Sequence, residues 1–278
     1  MSVINTNVAS IKARSNLDRV QRDMDQSIAR LSSGKRITAA RDDAAGQAIA
    51  GRMESQIRGL VMSIRHAKDG QSLVDTQEGA LQETTAILQR MRELAVQSSS
   101  GIMQDTGIAD LDYLNLEMVQ LIAQITEVAK NTRFNDTQVL TGTQFSFYHD
   151  IDVSGTQIQT IAAAVSAANL EVTIANVSIG VSSAVNTSAA INKIDLAIAS
   201  VAAIRASLGS VSNRFDHIVD NLTNVVANTE AAKSRIEDAD FAVETTQLTR
   251  NTVLQQAATS MIAQSNASKN SILALIQS

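Results

Sequence analysis

The side chains that first invite a chemical reading are three histidines, His66, His149 and His217, and the adjacent carboxylates Asp42-Asp43. An imidazole can ligate a metal or carry a proton, and paired carboxylates can hold a hard cation. The spacing supports neither reading. Each histidine lies in a different segment with no second ligand at metal spacing, and nothing near Asp42-Asp43 completes an oxygen shell. There is no Cys, which removes thiol catalysis, Cys-zinc sites, iron–sulfur clusters and disulfides. The HExxH, GxSxG, P-loop and GxGxxG patterns are also absent. The sequence therefore predicts no enzyme, no metal and no cofactor. For Asp42 and Asp43 a structural role remains, as caps for a helix starting at Ala44.

What must then be positioned is a surface rather than a catalytic group, and the composition says on what. The 278 residues include no Pro and no Trp, and only 3% are aromatic, although 44% are hydrophobic. Missing Pro removes the commonest helix breaker. Few aromatics argue for long helices packed along aliphatic seams rather than for a compact aromatic core. The net charge of −5 gives no reason to expect a nucleic-acid partner. Met1–Asn7 does not read as a Sec leader, and no uninterrupted apolar run reads as long enough to span a membrane.

Apolar residues recur every seven positions. One lane reads Met53, Leu60, Ala67, Val74, Leu81, Leu88, Ala95, within a predicted helix Ala44–Ser98. Such a helix would be roughly 80 Å long at about 1.5 Å per residue. A second lane begins with Ile57 and Ile64 but meets Gln71 and Glu78, and Gly59, Gly70 and Gly79 lie inside the helix. Those glycines are read either as points of close helix approach or as simple tolerance. Leu111, Met118, Ile125 and Leu114, Leu121, Val128 form two lanes of a second helix. A third carries Ile194, Val201, Leu208, Phe215, Leu222 beside Ile191, Ile198, Val219, Val226. The predicted fold is mainly α: a long antiparallel helical coiled-coil bundle with a small β-hairpin region in the middle of the chain.

The hairpin region is read from alternation at Phe145/Phe147, Leu170/Val172/Ile174 and Val177/Ile179/Val181, punctuated by Gly142, Gly155 and Gly180. The ends are helical with thin stripes: Leu17, Val20, Met24, Ile28 and Leu31 near the start, and Leu248, Leu254, Met261, Ile262, Ile272 and Leu275 among polar residues near the finish, of which Leu254, Met261 and Leu275 are taken as the assembly positions. Stripes so narrow do not hold a lone helix in water, so both ends are expected to need partners. The expected segments are 1–42 and 234–278 as halves of one inner helical layer, 43–142 and 191–233 as bundle helices, and 143–190 as the hairpin region. Within Ser32–Arg41, Gly34, Lys35-Arg36 and Ile37 suit a turn between helices, read either as a switch or as a passive connector.

Particular strings then carry a resemblance. Leu31-Ser32-Ser33-Gly34-Lys35-Arg36-Ile37 followed by Asp42-Asp43-Ala44-Ala45-Gly46 resembles the amino-terminal signature of bacterial flagellins. So do Glu78-Gly79-Ala80-Leu81, the stretch Leu88–Gln97, and Arg133-Phe134-Asn135. Ser234–Phe241 and the helix through Gln255-Gln256-Ala257 are similar to the carboxyl-terminal signature. The resemblance implies a secreted subunit of the extracellular flagellar filament, a homopolymer whose chain ends pair in an inner layer through the terminal stripes. It also implies an export chaperone, the filament cap and hook-junction proteins as partners. With Thr143–Ala190 so short, a small flagellin without large outer domains is expected. A hook–filament junction protein and, from another class, a soluble coiled-coil adaptor or chaperone stay open. By the same resemblance Arg90, Leu94 and Gln97, with Glu117 on the next helix, correspond to the surface that the vertebrate Toll-like receptor for flagellin senses; their spacing puts the first three on one helical face.

Overall fold

The structure is a computed structural model and describes residues 6–99, 108–148, 157–160, 163–177, 179 and 187–277, without the side chains of 108–110, 157 and 269–277. In chain order come α1 (Val8–Ser33), α2 (Ala44–Ser98), α3 (Ile108–Asn131), β1 (Arg133–Phe134), β2 (Thr137–Gln138), β3 (Ser146–Tyr148), β4 (Gln157–Gln159), α4 (Ile174–Val177), α5 (Thr187–Glu237) and α6 (Phe241–Gln277). The chain divides into two compact units. One joins Met1–Ile57 to Ala227–Ser278, and the other is Arg58–Val226. The divisions fall inside α2 and α5 rather than at the linkers. The first turns of α2 and the last turns of α5 are tied into the terminal unit, where the ammonium of Lys233 pairs with Glu54.

The unit Arg58–Val226 holds most of α2, all of α3 and most of α5 around one buried core. The lane Leu60, Ala67, Val74, Leu81, Leu88, Ala95 is buried throughout, as are Leu111, Met118, Ile125 on α3 and Ile194, Val201, Leu208, Phe215, Leu222 on α5. The second seam of α2 differs from expectation. Ile64, Gln71 and Glu78 are only partly buried, while Ser63, Gly70, Gln77, Thr84, Met91 and Ser98 are buried. This lane gives no apolar signal in the sequence because most of its members are polar or small. Its hydroxyls are satisfied locally: Ser63 donates to the Gly59 carbonyl (3.1 Å), Thr84 to Ala80 (2.9 Å) and Ser98 to Ala95 (2.7 Å). Gln77 Nε2 donates to the Val139 carbonyl at 2.7 Å, which pins the chain after β2 against α2. On α3 the second buried lane is Ile122 and Ala129, with Leu114, Leu121 and Val128 partly covered.

Two of the interior glycines of α2 separate cleanly. A Cβ on Gly70 would lie 2.6 Å from Phe215 Cζ and 3.2 Å from Phe147 Cγ, so the absence of a side chain there lets both rings approach. At Gly79 a Cβ would meet open space.

In the middle of the chain, Phe147 does lie on a strand, β3, paired antiparallel with β4 and opposite Ile158. A second hairpin, β1–β2, closes through Asn135 and Asp136, both at positive φ (48° and 62°), as a two-residue turn between twisted strands requires. The strands expected over Leu170–Ile174 and Val177–Val181 are replaced, among the described residues, by turns and the short helix α4; Val181 lies outside the described residues. Leu170, Val172, Val177 and Ile179 are all buried, so their alternation reflects an irregular segment laid on the core rather than a half-exposed strand. Its backbone donors are met within turns, as from Val172 N–H to the Ala167 carbonyl at 2.9 Å.

One stretch of α5 is long and apolar enough, by length and composition, to cross a membrane, although Lys193, Asp195 and Arg205 interrupt the apolar residues of that helix. Only 22% of that stretch is buried: Ile194, Ala197 and Val201 face the bundle, whereas Leu196 is 62% exposed. The charges beside them are paired, Lys193 with Glu171 and Asp195 with Arg92.

Candidate assembly interface

His66 and His217 are exposed and His149 lies outside the described residues; among the described residues no His, Asp or Glu cluster could hold a metal. What the sequence does organise is the terminal unit and its linkers.

Gly34 ends α1 in the left-handed conformation, φ 71°, and its N–H donates to the Arg30 carbonyl at 2.8 Å. A side chain there would find open space, so only the backbone angle selects Gly. The two linkers then run together. Arg36 N–H donates to the Glu237 carbonyl (2.6 Å), Ala239 N–H to the Gly34 carbonyl (2.9 Å), and the Arg36 guanidinium to the Ile236 carbonyl (2.6 Å). Lys35 pairs with Glu237 at 2.5 Å. Ile37 is buried.

The two aspartates divide their work. Asp43 Oδ1 accepts from Gly46 N–H at 2.8 Å, which caps α2. Asp42 instead closes the linker on itself, its Oδ2 accepting from Thr38 Oγ1 (2.9 Å), Thr38 N–H (3.1 Å) and Ala39 N–H (3.1 Å). The Thr38 hydroxyl first, then the backbone donors, hold the Asp42 carboxyl below its ordinary pKa. This clamp is complete above the ordinary carboxylate range and is lost as the pH falls through the lowered value.

Helices α1 and α6 pack along each other. On α1 the covered positions include Ala13, Leu17, Val20, Met24, Ser27 and Leu31, at alternating steps of four and three, flanked by Ser10, Gln21, Gln26 and Arg30, whereas Ile28 is 47% exposed. On α6 the covered positions include Glu244, Leu248, Asn251, Gln255, Ala258, Ile262 and Ser265, again at steps of four and three, with Thr252 beside them. Of the apolar stripe expected on α6, Leu248 and Ile262 lie in the seam. Leu254 and Met261 are 42% and 63% exposed and the side chain of Leu275 lies outside the described residues. The other seam members are polar or small, so apolar spacing did not reveal them; counting sevens without regard to polarity would have found Glu244, Asn251, Ala258, Ser265. The outward side of α6 carries Phe241, Val243, Val253, Leu254 and Met261, all exposed. Between Thr245 and Ser268 its one charged residue is Arg250.

In the other unit, Arg90 bonds Glu117 across α2 and α3, Nε and Nη2 to Oε1 at 2.9 and 2.8 Å, and Nη1 reaches Glu93 at 3.1 Å. The Glu117 and Glu93 carboxylates hold the Arg90 pKa above its ordinary value. Gln97 is exposed. Leu94, expected on the same surface, is fully buried in the core. The helix face is wider than a two-lane seam because α2 is covered from two sides, so Leu94 belongs to the packing and not to the surface.

The family model of the bacterial flagellin N-terminal helical region matches residues 4–145, and that of the bacterial flagellin C-terminal helical region matches 191–276. The chain is 38% identical over 277 residues to a flagellin of Halalkalibacterium halodurans, covering 99% of this chain and 100% of that one. It is 36% identical over 303 residues to a flagellin of Bacillus subtilis, with 99% of each covered. To the flagellar filament 33 kDa core protein of Treponema phagedenis it is 34% identical over 292 residues, covering 99% of this chain and 100% of that one.

Proposed function

Since the chain belongs to the bacterial flagellin family, we propose that α1 and α6 are the elements through which its copies join into a filament. The protein is a structural subunit of the flagellar filament and not an enzyme. The observation that carries the proposal is the exposed surface of α6, where Phe241, Val243, Val253, Leu254 and Met261 stay in water among uncharged polar residues after the intramolecular seam has been made, with Arg250 the one charge between Thr245 and Ser268. Large apolar side chains that a single chain leaves in water are available to a neighbouring copy. A contact between different faces of identical copies continues into an open helix unless the rotation closes. Deleting 1–37 or 241–278 is expected to leave the unit 58–226 folded and to prevent filaments, as judged by circular dichroism and electron microscopy; normal filaments from either truncation would refute the assignment.

The same reading places the protein outside the cell in the filament, with an export chaperone, the filament cap and hook-junction proteins as further partners by family membership. The paired linkers are assigned as the switch between filament states, with Gly34 and Ile37 as its pivots. Gly34→Ala forces a side chain into a left-handed backbone, which costs roughly 1 kcal/mol. It should change filament waveform under the microscope without unfolding the bundle unit. An unchanged waveform would make the linker a passive connector.

Arg90, Gln97 and Glu117 are assigned as the receptor surface on the free monomer, with the Arg90–Glu117 pair presenting a preformed charged patch. Arg90→Ala should weaken binding to the vertebrate Toll-like receptor for flagellin about 30-fold, the equivalent of about 2 kcal/mol at an interface hot spot. Leu94 would act only through the core beneath, so Leu94→Ala should lower thermal stability as well as binding. Absence of any receptor affinity in the intact monomer would end this part and leave the filament function standing.

A further inference from the structure

We propose that the polar rungs between α1 and α6 select the register of this helix pair, so that the seam accepts one alignment and rejects those slipped by a heptad. Three rungs cross the seam. Asn7 Nδ2 donates to the Ser265 carbonyl (3.3 Å) while Ser265 Oγ bonds Asn7 Oδ1 (3.2 Å). Gln255 Nε2 donates to Gln21 Oε1 at 2.7 Å, and Arg30 Nη1 to Glu244 Oε1 at 2.9 Å. Glu244 is 7% exposed, and Ser27 and Asn251 are further buried polar members of the seam.

The apolar residues cannot supply this selection. Leu17, Val20, Met24 and Leu31 on one helix and Leu248, Ala258 and Ile262 on the other sit on seven-residue lanes. Sliding one helix by seven residues returns seam positions to seam positions, and a seam this thin gains little from any one alignment. The rungs respond differently. A slip of seven residues displaces each partner by about 10 Å along the axis, beyond the reach of an Asn or Gln side chain. Gln21 would then face Leu248 or Ile262 in place of Gln255. Glu244 would remain in the seam without the guanidinium of Arg30, and a covered charge that loses its partner is strongly destabilising. A buried polar residue that fixes alignment is the best-attested use of such groups in helix pairs. This selection concerns the pairing within one chain and holds whatever packs on the outward face of α6.

The chain contains no Cys, so every thiol in the test is an introduced one. In the full chain Gln21→Cys is combined in turn with Gln255→Cys, Leu248→Cys and Ile262→Cys and treated with a short bifunctional thiol reagent. The same three pairs are then made with the outer rungs removed, by Arg30→Leu, Glu244→Leu, Asn7→Ala and Ser265→Ala. With those rungs present the 21/255 link should exceed each slipped link by about tenfold or more; with them removed the three should converge while helix content holds. The proposal is overturned if 21/255 shows no preference at the start. It is equally overturned if that preference survives removal of the rungs, or if their removal melts the helices, since the rungs would then hold the pair together without selecting its alignment.

Discussion

Leu254→Asp and Met261→Asp are expected to stop filament growth while the monomer stays as helical as the parent chain. Both side chains point away from the α1 seam and are already in water in the single chain, so a charge there costs the monomer little. Between copies the same charge would be enclosed in an apolar contact without a partner. If that adds about 3 kcal/mol per subunit, the concentration needed for growth rises roughly 100-fold. Leu248→Asp is the contrasting variant, since Leu248 lies in the intramolecular seam and its loss should reduce terminal helicity before any assembly is asked for. Sedimentation and negative-stain microscopy over a concentration series give the answer. Filaments of either outward-face variant at the parent concentration would mean that α6 meets its neighbours elsewhere.

A comparable effect, on folding instead of assembly, is expected from Phe215→Ala. The chain has five Phe, two Tyr and no Trp, so a single buried ring carries an unusual share of its large-side-chain packing. Phe215 is fully buried, edge-on to Phe147 with ring centroids 5.8 Å apart and planes at 84°, and its tip lies over Gly70. Removing it takes away the ring's transfer free energy and leaves a cavity that long packed helices close poorly, a loss of about 4 kcal/mol. That lowers the melting temperature of the bundle unit by roughly 10 °C. Gly70→Ala should also destabilise, because a methyl 2.6 Å from Phe215 Cζ must push the ring aside. The two changes share one space, so Phe215→Leu combined with Gly70→Ala should cost less than the sum of the separate changes. Strict additivity in calorimetry would show that the ring and the glycine do not meet.

Family membership and the broad architecture were legible in the residues themselves. Heptad lanes such as Leu60–Ala95 and Ile194–Leu222 declare their burial because a helix repeats every 3.6 residues and apolar groups must leave water together. Absence of Pro let those helices run long, and the strings at both ends identified the family.

Tertiary structure alone decided which lane completed each seam and which way the terminal residues faced. Ser63, Gly70, Gln77 and Thr84 are buried on α2 because a neighbouring backbone or ring comes close and a hydrogen bond is at hand, conditions no side chain announces by its own polarity. The same holds for Glu244, Asn251 and Gln255, which complete the α6 seam beside Leu248 and Ile262 while Leu254 and Met261 are left outside. Asp42 and Asp43 are adjacent in sequence, yet one clamps a linker and the other caps a helix, because the chain turns between Thr38 and Ala44. Leu94 sits inside and not on the surface because two helices cover α2 at once. Apolar periodicity fixes which faces leave water; which polar group may follow them is set by the partner that waits there, and that partner comes from a distant part of the chain.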